Sequence, residues 1–241
     1  MGAGLAEAFP AAKAVFDEVD DALGQKLSTL MWEGPEADLT LTENAQPALM
    51  AVSLAAMRGL ETKGFTLPGN VAYVAGHSLG EYSALAASGA LSLGDTARLL
   101  KTRGQVMQAA VPVGEGAMAA LLGADLSQAQ ELAEAAAQGD CCQAANDNAP
   151  GQVVISGKKT AIERAVALAP NFGARRAVLL PVSAPFHCAL MQPAADAMAE
   201  ALSGVTISEP AVPVVANVLA EPITDPEAIR VRLVEQVTGM V

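Results

Sequence analysis

Gly76-His77-Ser78-Leu79-Gly80 is a G-x-S-x-G pentapeptide. It sits between an apolar run, Val71 to Ala75, and a helix-forming run, Glu81 to Ala87. A serine at such a strand-to-helix turn is the pattern of a nucleophile elbow, which pushes the hydroxyl out at the carboxyl edge of a sheet. The flanking glycines lack a Cβ, so the chain can bend sharply and a neighbouring segment can pass close by. The Leu79 N–H opens the following helix, where an unused amide and the helix dipole favour a developing oxyanion. A serine hydroxyl is a poor nucleophile near neutral pH and needs a base. The chain has two histidines, His77 and His187. His77 adjoins the serine, and successive side chains diverge at a tight elbow, so His77 reads as a wall of the pocket. His187 lies in Ser183-Ala184-Pro185-Phe186-His187-Cys188, a strand-to-helix loop of the kind that carries sites in open α/β folds. By elimination His187 is the candidate base. Asp125, Asp140 and Asp147 fall between serine and histidine, as a triad in α/β-hydrolase order requires. None has a clear claim, and a dyad with His187 oriented by a backbone carbonyl fits as well.

Arg103 is the next residue with chemistry in it. It falls on the same helical stripe as Leu99, Leu100, Val106, Met107 and Ala110. A guanidinium on an apolar face is costly unless it is paired. One reading is a snorkelling arginine or a structural ion pair. The other is a fixed fork for a carboxylate, which arginine binds bidentately and without losing its charge.

The elements that must position these groups follow from periodicity and capping. Helices are predicted over Ala11–Leu23, with Val15, Phe16, Val19 and Leu23 inward, and over Glu43–Leu60, with Pro47 in its first turn and Leu49, Met50, Val52 and Leu54 inward. Val71–Ala75 reads as a short buried strand. Ser92 to Asp95 is a capping pattern that opens a helix to about Ala110. After Pro112 the texture changes. Strands are expected at Ala117–Leu122, Cys142–Ala145, Gln152–Ser156 and Ala177–Val182. Helices are expected at Ser127–Ala137, capped by Ser127 with Gln130, and at Thr160–Ala169. That order, βαββαβ, is the split ferredoxin-like unit. The predicted architecture is therefore α/β. Residues 1–112 and 184–241 form a parallel-sheet core of α/β-hydrolase type, and residues 113–183 form an inserted ferredoxin-like domain. The core resumes with a helix at Ala189–Leu202, a strand at Val212–Val218 and a last helix from Asp225-Pro226 to about Val237.

Composition narrows the classes. Of 241 residues 52% are hydrophobic and 17% charged, so a sizeable core can form. No apolar stretch reaches the roughly 18–20 residues that span a bilayer. No basic segment followed by an apolar block marks a signal peptide, so a cytoplasmic setting without membrane attachment is expected. The three cysteines, Cys141, Cys142 and Cys188, are odd in number and two are adjacent, which argues against a disulfide framework. With no C-x-x-C and two histidines, no metal site is expected, and nothing calls for a cofactor. A formal net charge of −12 argues against nucleic-acid binding. An anionic partner would need a local basic patch, for which Lys158-Lys159 and Arg175-Arg176 are the candidates. A monomer is expected.

Taken together these segments resemble the malonyl-CoA:acyl carrier protein transacylase family of fatty-acid synthesis and, more distantly, polyketide-synthase acyltransferase domains. The matching pieces are Thr42 to Leu49, Gly76 to Leu85, Arg103-Gly104 with Met107-Gln108, Asn148 to Gly157, Pro181 to Ser183 with His187 to Met191, and Pro213 to Val215. They run in the family's order over nearly the whole chain. The resemblance implies a ping-pong transfer. Ser78 attacks the malonyl thioester of coenzyme A with His187 as base, and the malonyl group then passes to the phosphopantetheine thiol of acyl carrier protein. It also implies that Arg103 clamps the malonyl carboxylate, that Leu79 gives one oxyanion N–H, and that the Gln236 carbonyl orients the histidine. Asn148 lies in a matching motif near the site. Family members open with a strand and a Gly-Gln-Gly-Ser-Gln motif whose glutamine supplies the second oxyanion N–H, and they extend past the position of Val241. This chain starts after that motif and reads as truncated at both ends, with activity impaired. Phe186, where a small residue is common, would narrow the pocket near His187. Two other readings use the same residues: a serine thioesterase or hydrolase, which Arg103 disfavours, and a non-catalytic carrier-protein-binding remnant docking through Arg175 and Arg176.

Overall fold

The structure is a computed structural model and describes all 241 residues. Two compact units emerge, one made of Met1–Gln105 with Met198–Arg232, the other of Val106–Ala197 with Leu233–Val241.

The first unit is built mainly of helices. Pro10–Leu23 starts on a proline, whose missing N–H costs nothing in a first turn, and buries Val15, Phe16 and Val19. It packs on the helix Thr42–Glu61. That helix buries Ala48, Met50, Ala51, Leu54 and Ala55, while Leu49, expected to face inward, is 40% exposed. Pro47 lies inside the helix rather than in its first turn, and its missing N–H removes one bond from the ladder. Short helices at Ala3–Ala8, Leu27–Glu33, Glu36–Leu39 and Leu67–Asn70 carry too little periodicity to be read from sequence.

The run Val71–Ala75 is not the buried strand that its apolar residues suggested. It forms one parallel bridge, Val74 with Val214, closed by hydrogen bonds from Val74 N to Pro213 O and from Val215 N to Val74 O. Tyr73 is 55% exposed. Only Val74 is bridged, so no regular pairing extends along the run. Only Val214–Ala216 of the expected Val212–Val218 strand is extended, because the chain turns back at once to pair with Glu221–Ile223.

The second unit carries a four-stranded antiparallel sheet of β1 (Gly116–Leu122), β2 (Cys142–Ala149), β3 (Gln152–Lys158) and β4 (Arg176–Leu179) in the order β2-β3-β1-β4. With helices Leu126–Ala137 and Lys159–Leu168 between strands, this is the βαββαβ order. The first helix is capped two residues before the expected cap, at Asp125 rather than Ser127. Asp125 accepts from the Gln128 N–H at 2.9 Å, and the Gln128 side chain accepts from the Asp125 N–H at 2.9 Å. Both Asp-x-x-Gln and Ser-x-x-Gln satisfy the pattern, and Leu126 decides between them by needing a helical position against the core. On one face of the sheet Leu121, Val153 and Ile155 meet Leu132, Ala133, Ile162 and Ala165. On the other face Met118, Ala145 and Val154 pack against Leu180 and Phe186. β4 ends at Leu179 rather than Val182, since the chain leaves the sheet there to cross this second face.

The helix Leu93–Ala109 begins where the capping pattern placed it. The Ser92 hydroxyl accepts from the Asp95 N–H at 3.0 Å and donates to the Asp95 carboxylate at 2.7 Å. This bond, followed by one from Arg98, holds the Asp95 carboxyl below the usual carboxylate range. Ser92→Ala is expected to cost about 1 kcal/mol in urea unfolding at neutral pH. Asp95 has its folded pKa depressed, so its share of that stability is present above the ordinary carboxylate range and fades as pH falls through the folded value. The gap between wild type and variant should therefore narrow in acid. Identical unfolding midpoints at neutral pH would rule out the cap.

Candidate active site

Ser78 sits at φ 52° and ψ −107°, between the extended run before it and the helix Leu79–Ala87 after it. Such a backbone costs a non-glycine residue about 1–3 kcal/mol, and the surroundings must hold it. Gly76 makes the bend possible, because a Cβ there would lie 2.0 Å from the Gly80 carbonyl oxygen. Gly80 itself has open space around its Cα, so only the first glycine of the pentapeptide is sterically required. Leu79 is the first residue of the helix, and its N–H belongs to the group that the helix leaves unused.

Asn217 braces this turn, and no pattern in the sequence singled it out. Its Oδ1 accepts from the Ser78 N–H at 2.8 Å, and its Nδ2 donates to the Gly76 carbonyl at 2.8 Å. Its own N–H donates to the buried Glu81 carboxylate at 3.2 Å. The available signal was positional: Asn217 directly follows Val214–Ala216, the strand bridged to Val74. That bridge becomes visible only in three dimensions.

Arg103 is 2% exposed. Its Nη2 donates to the Ser78 hydroxyl oxygen at 3.0 Å, and its Nη1 donates to Gln46 Oε1 at 2.7 Å. The guanidinium also lies 5.7 Å from the centre of the Tyr82 ring. Burial pulls the Arg103 pKa down, while Tyr82 and Glu81 oppose the shift. Arginine starts so far above neutrality that it keeps its charge. Burial in turn pushes the Tyr82 hydroxyl up to about 12, so it stays neutral. Gly104 lets the Arg103 helix approach Gln46, since a Cβ there would fall 2.4 Å from the Glu43 Cα. Serine and arginine, picked out separately in sequence, are thus joined directly.

In the second unit His187 is 4% exposed and has φ 59°. Its Nδ1 lies 2.8 Å from the Gln236 carbonyl oxygen. A carbonyl can only accept, so Nδ1 carries the proton and Nε2 keeps its lone pair, the tautomer a general base needs. Gln236 is in the last turn of the helix Pro226–Thr238. That end of a helix carries partial negative charge, which favours an imidazolium once the ring takes a proton. Phe186, beside His187 in sequence, is partly buried and packs on the sheet with Met118, Ala145 and Val154, which anchors the histidine loop.

The other predicted residues sit as follows. His77 is exposed and, with Tyr73 and Leu79, lines a cavity of about 540 Å³ in the first unit. Asn148 is exposed near the end of β2. Arg175 and Arg176 are exposed at the start of β4. Lys158 and Lys159 face Asp140 and Glu163 at 3.4 and 4.0 Å, as solvated surface pairs do.

Known proteins match this chain throughout. The family described as acyl transferase domain matches residues 1–232. A malonyl CoA-acyl carrier protein transacylase of Bacillus subtilis is 47% identical over 98% of this chain and 74% of its own length. The Escherichia coli K12 protein of the same name is 46% identical over 98% of this chain and 75% of its own. The chain belongs to the malonyl CoA-acyl carrier protein transacylase family. Among solved structures, an acyl-carrier-protein-S-malonyltransferase from Bartonella henselae superimposes with a TM-score of 0.97 at 59% identity, covering 100% of this chain and 77% of that one. A malonyl transacylase in complex with a type II PKS acyl-carrier protein gives a TM-score of 0.95 at 44% identity, covering 100% and 77%. The expected fold class, an α/β-hydrolase-like core with a ferredoxin-like subdomain, is that of these transacylases.

Removing the brace at the transacylase elbow should act on rate. Asn217→Ala is expected to lower kcat about 100-fold with little change in the KM for malonyl-CoA. Asn217→Asp, which can still accept from the Ser78 N–H, should fall between the two. A variant with unchanged kcat would show that the turn holds itself.

Proposed function

We propose that this chain transfers malonyl from malonyl-CoA to the phosphopantetheine thiol of acyl carrier protein through a malonyl-Ser78 intermediate. The observation that carries the reading is the 3.0 Å contact between the Ser78 hydroxyl and the buried Arg103 fork. In a malonyl thioester one methylene separates the carboxylate from the carbonyl carbon under attack. A receptor for that carboxylate must therefore lie beside the nucleophile, as Arg103 does. Gln46 fixes one arm of the fork, which limits the reorganisation that binding requires.

In this mechanism His187 Nε2 removes the Ser78 proton as Oγ attacks the thioester carbon, and the Leu79 N–H stabilises the oxyanion. The imidazolium, favoured by the Gln236 carbonyl, then protonates the departing thiolate of coenzyme A. The second half runs in reverse, with the carrier thiol attacking malonyl-Ser78 and His187 taking its proton. Water is the competing nucleophile, and the same steps with water would make a hydrolase. No helix is long and apolar enough to cross a membrane, and a cytoplasmic setting belongs to this proposal. Residues 113–183 are proposed as the inserted ferredoxin-like domain.

Incubation with malonyl-CoA should add one malonyl group to the intact mass, and Ser78→Ala should abolish it. An acetyl group has no carboxylate, so it brings no opposite charge to the buried Arg103 fork. Arg103→Ala should lower malonyl transfer at least about 100-fold while sparing acetyl transfer, the size of effect that a lost charge-assisted contact implies. Equal losses with both substrates would refute the clamp.

A further inference from the structure

Two cysteines lie against the histidine loop and have no part in the transfer. Cys188 follows His187, is fully buried, and donates from Sγ to the Pro185 carbonyl at 3.2 Å. Cys141 immediately precedes β2 and is partly exposed. Its Sγ lies 3.5 Å from Gln143 Oε1, and that same oxygen accepts from the Ala189 N–H at 2.7 Å. Gln143 thus ties the Cys141 thiol to the amide next to Cys188. Cys142, next along the strand, points the opposite way into the core beneath the helices.

The environments of the three thiols differ in a directed way. The Cys188 thiol, then the amides of Leu190 and Ala189, bring Cys141 down to about 7 against the opposing effect of burial. Burial pushes Cys142 up to about 11. The hydrogen bond with Cys141, then burial, pushes Cys188 up. The thiolate is the reactive form, and it is the partly exposed member that carries it.

We propose that Cys141 and Cys188 are a hydroperoxide-reactive pair that closes to a disulfide and, in doing so, slows transfer through the adjoining His187. This rests on the reading of His187 as the base. The Cys141 thiolate attacks the peroxide oxygen, breaking the O–O bond to give a sulfenic acid and an alkoxide, which takes up a proton and leaves as an alcohol. The Cys188 sulfur then attacks the sulfenic sulfur, and the hydroxyl departs with the Cys188 proton as water. Overall, two thiols and one hydroperoxide give a disulfide, an alcohol and water. Closing the bond takes the Cys188 thiol from the Pro185 carbonyl, the contact that ties the loop just before His187. Reduction by a dithiol restores both.

The test treats the full chain with tert-butyl hydroperoxide and follows intact mass, the linked peptides and malonyl transfer together. The expected result is a loss of two hydrogen masses mapped to Cys141–Cys188. Transfer should fall at least about tenfold and recover with dithiothreitol, while Cys141→Ser should be insensitive and Cys142→Ser should respond like wild type. Linkage elsewhere, or over-oxidation of Cys141 with no linkage, would overturn the pair. A Cys141–Cys188 linkage with transfer unchanged would overturn its control of the histidine loop. The unoxidised protein's own labelling by malonyl-CoA reports separately on the transferase reading.

Discussion

Ser78 is held at a backbone geometry that a serine does not adopt by choice, and the surrounding structure is arranged to keep it there. The strain lifts the hydroxyl clear of the chain and sets the Leu79 N–H beside it. Gly76 removes the clash that would prevent the bend. Asn217 then ties the two sides of the bend together, taking the Ser78 N–H and giving to the Gly76 carbonyl. A single primary amide can serve both only because it carries an acceptor and a donor on one planar group. The bridge between Val74 and Val214 sets the distance at which that group is offered.

The second constraint is charge without water. Arg103 is buried, and a buried guanidinium is tolerable only where polar partners surround it. Ser78, Gln46 and the Tyr82 ring surround the guanidinium and meet that need. A carboxylate would meet it better, since it adds an opposite charge in a medium that screens little. Under the proposed reading, selectivity for an acyl group that carries a carboxylate follows from this burial. The same arginine at the surface would interact about as strongly with water.

His187 is prepared by different means. The loop before it is pinned by Phe186 on the sheet, and its ring by a carbonyl at the end of a helix. The carbonyl sets which nitrogen carries the proton, and its position at the negative end of the helix dipole favours the charged ring that transfer requires. In the proposed mechanism this does the orienting work of a carboxylate in a triad, for which none of Asp125, Asp140 and Asp147 had a clear claim.

Much was legible before the fold. The pentapeptide marked Ser78, scarcity of histidine marked His187, and an arginine on an apolar stripe marked Arg103, because each is a residue type at odds with its local pattern. The βαββαβ order was also readable, since each of its elements is long enough to show its own period. Tertiary structure alone decided the rest. Whether Ser127 or Asp125 caps a helix depends on which register buries Leu126. Whether Val71–Ala75 becomes a strand depends on a neighbour that stays alongside it, and here only Val74 is bridged, which apolar composition cannot report. Asn217, Gln46 and Tyr82 act only through hydrogen bonds and ring contacts to residues far away in the chain. Such contacts are made by folding and leave no periodic trace, so sequence named the candidate groups and the fold supplied what holds them in place.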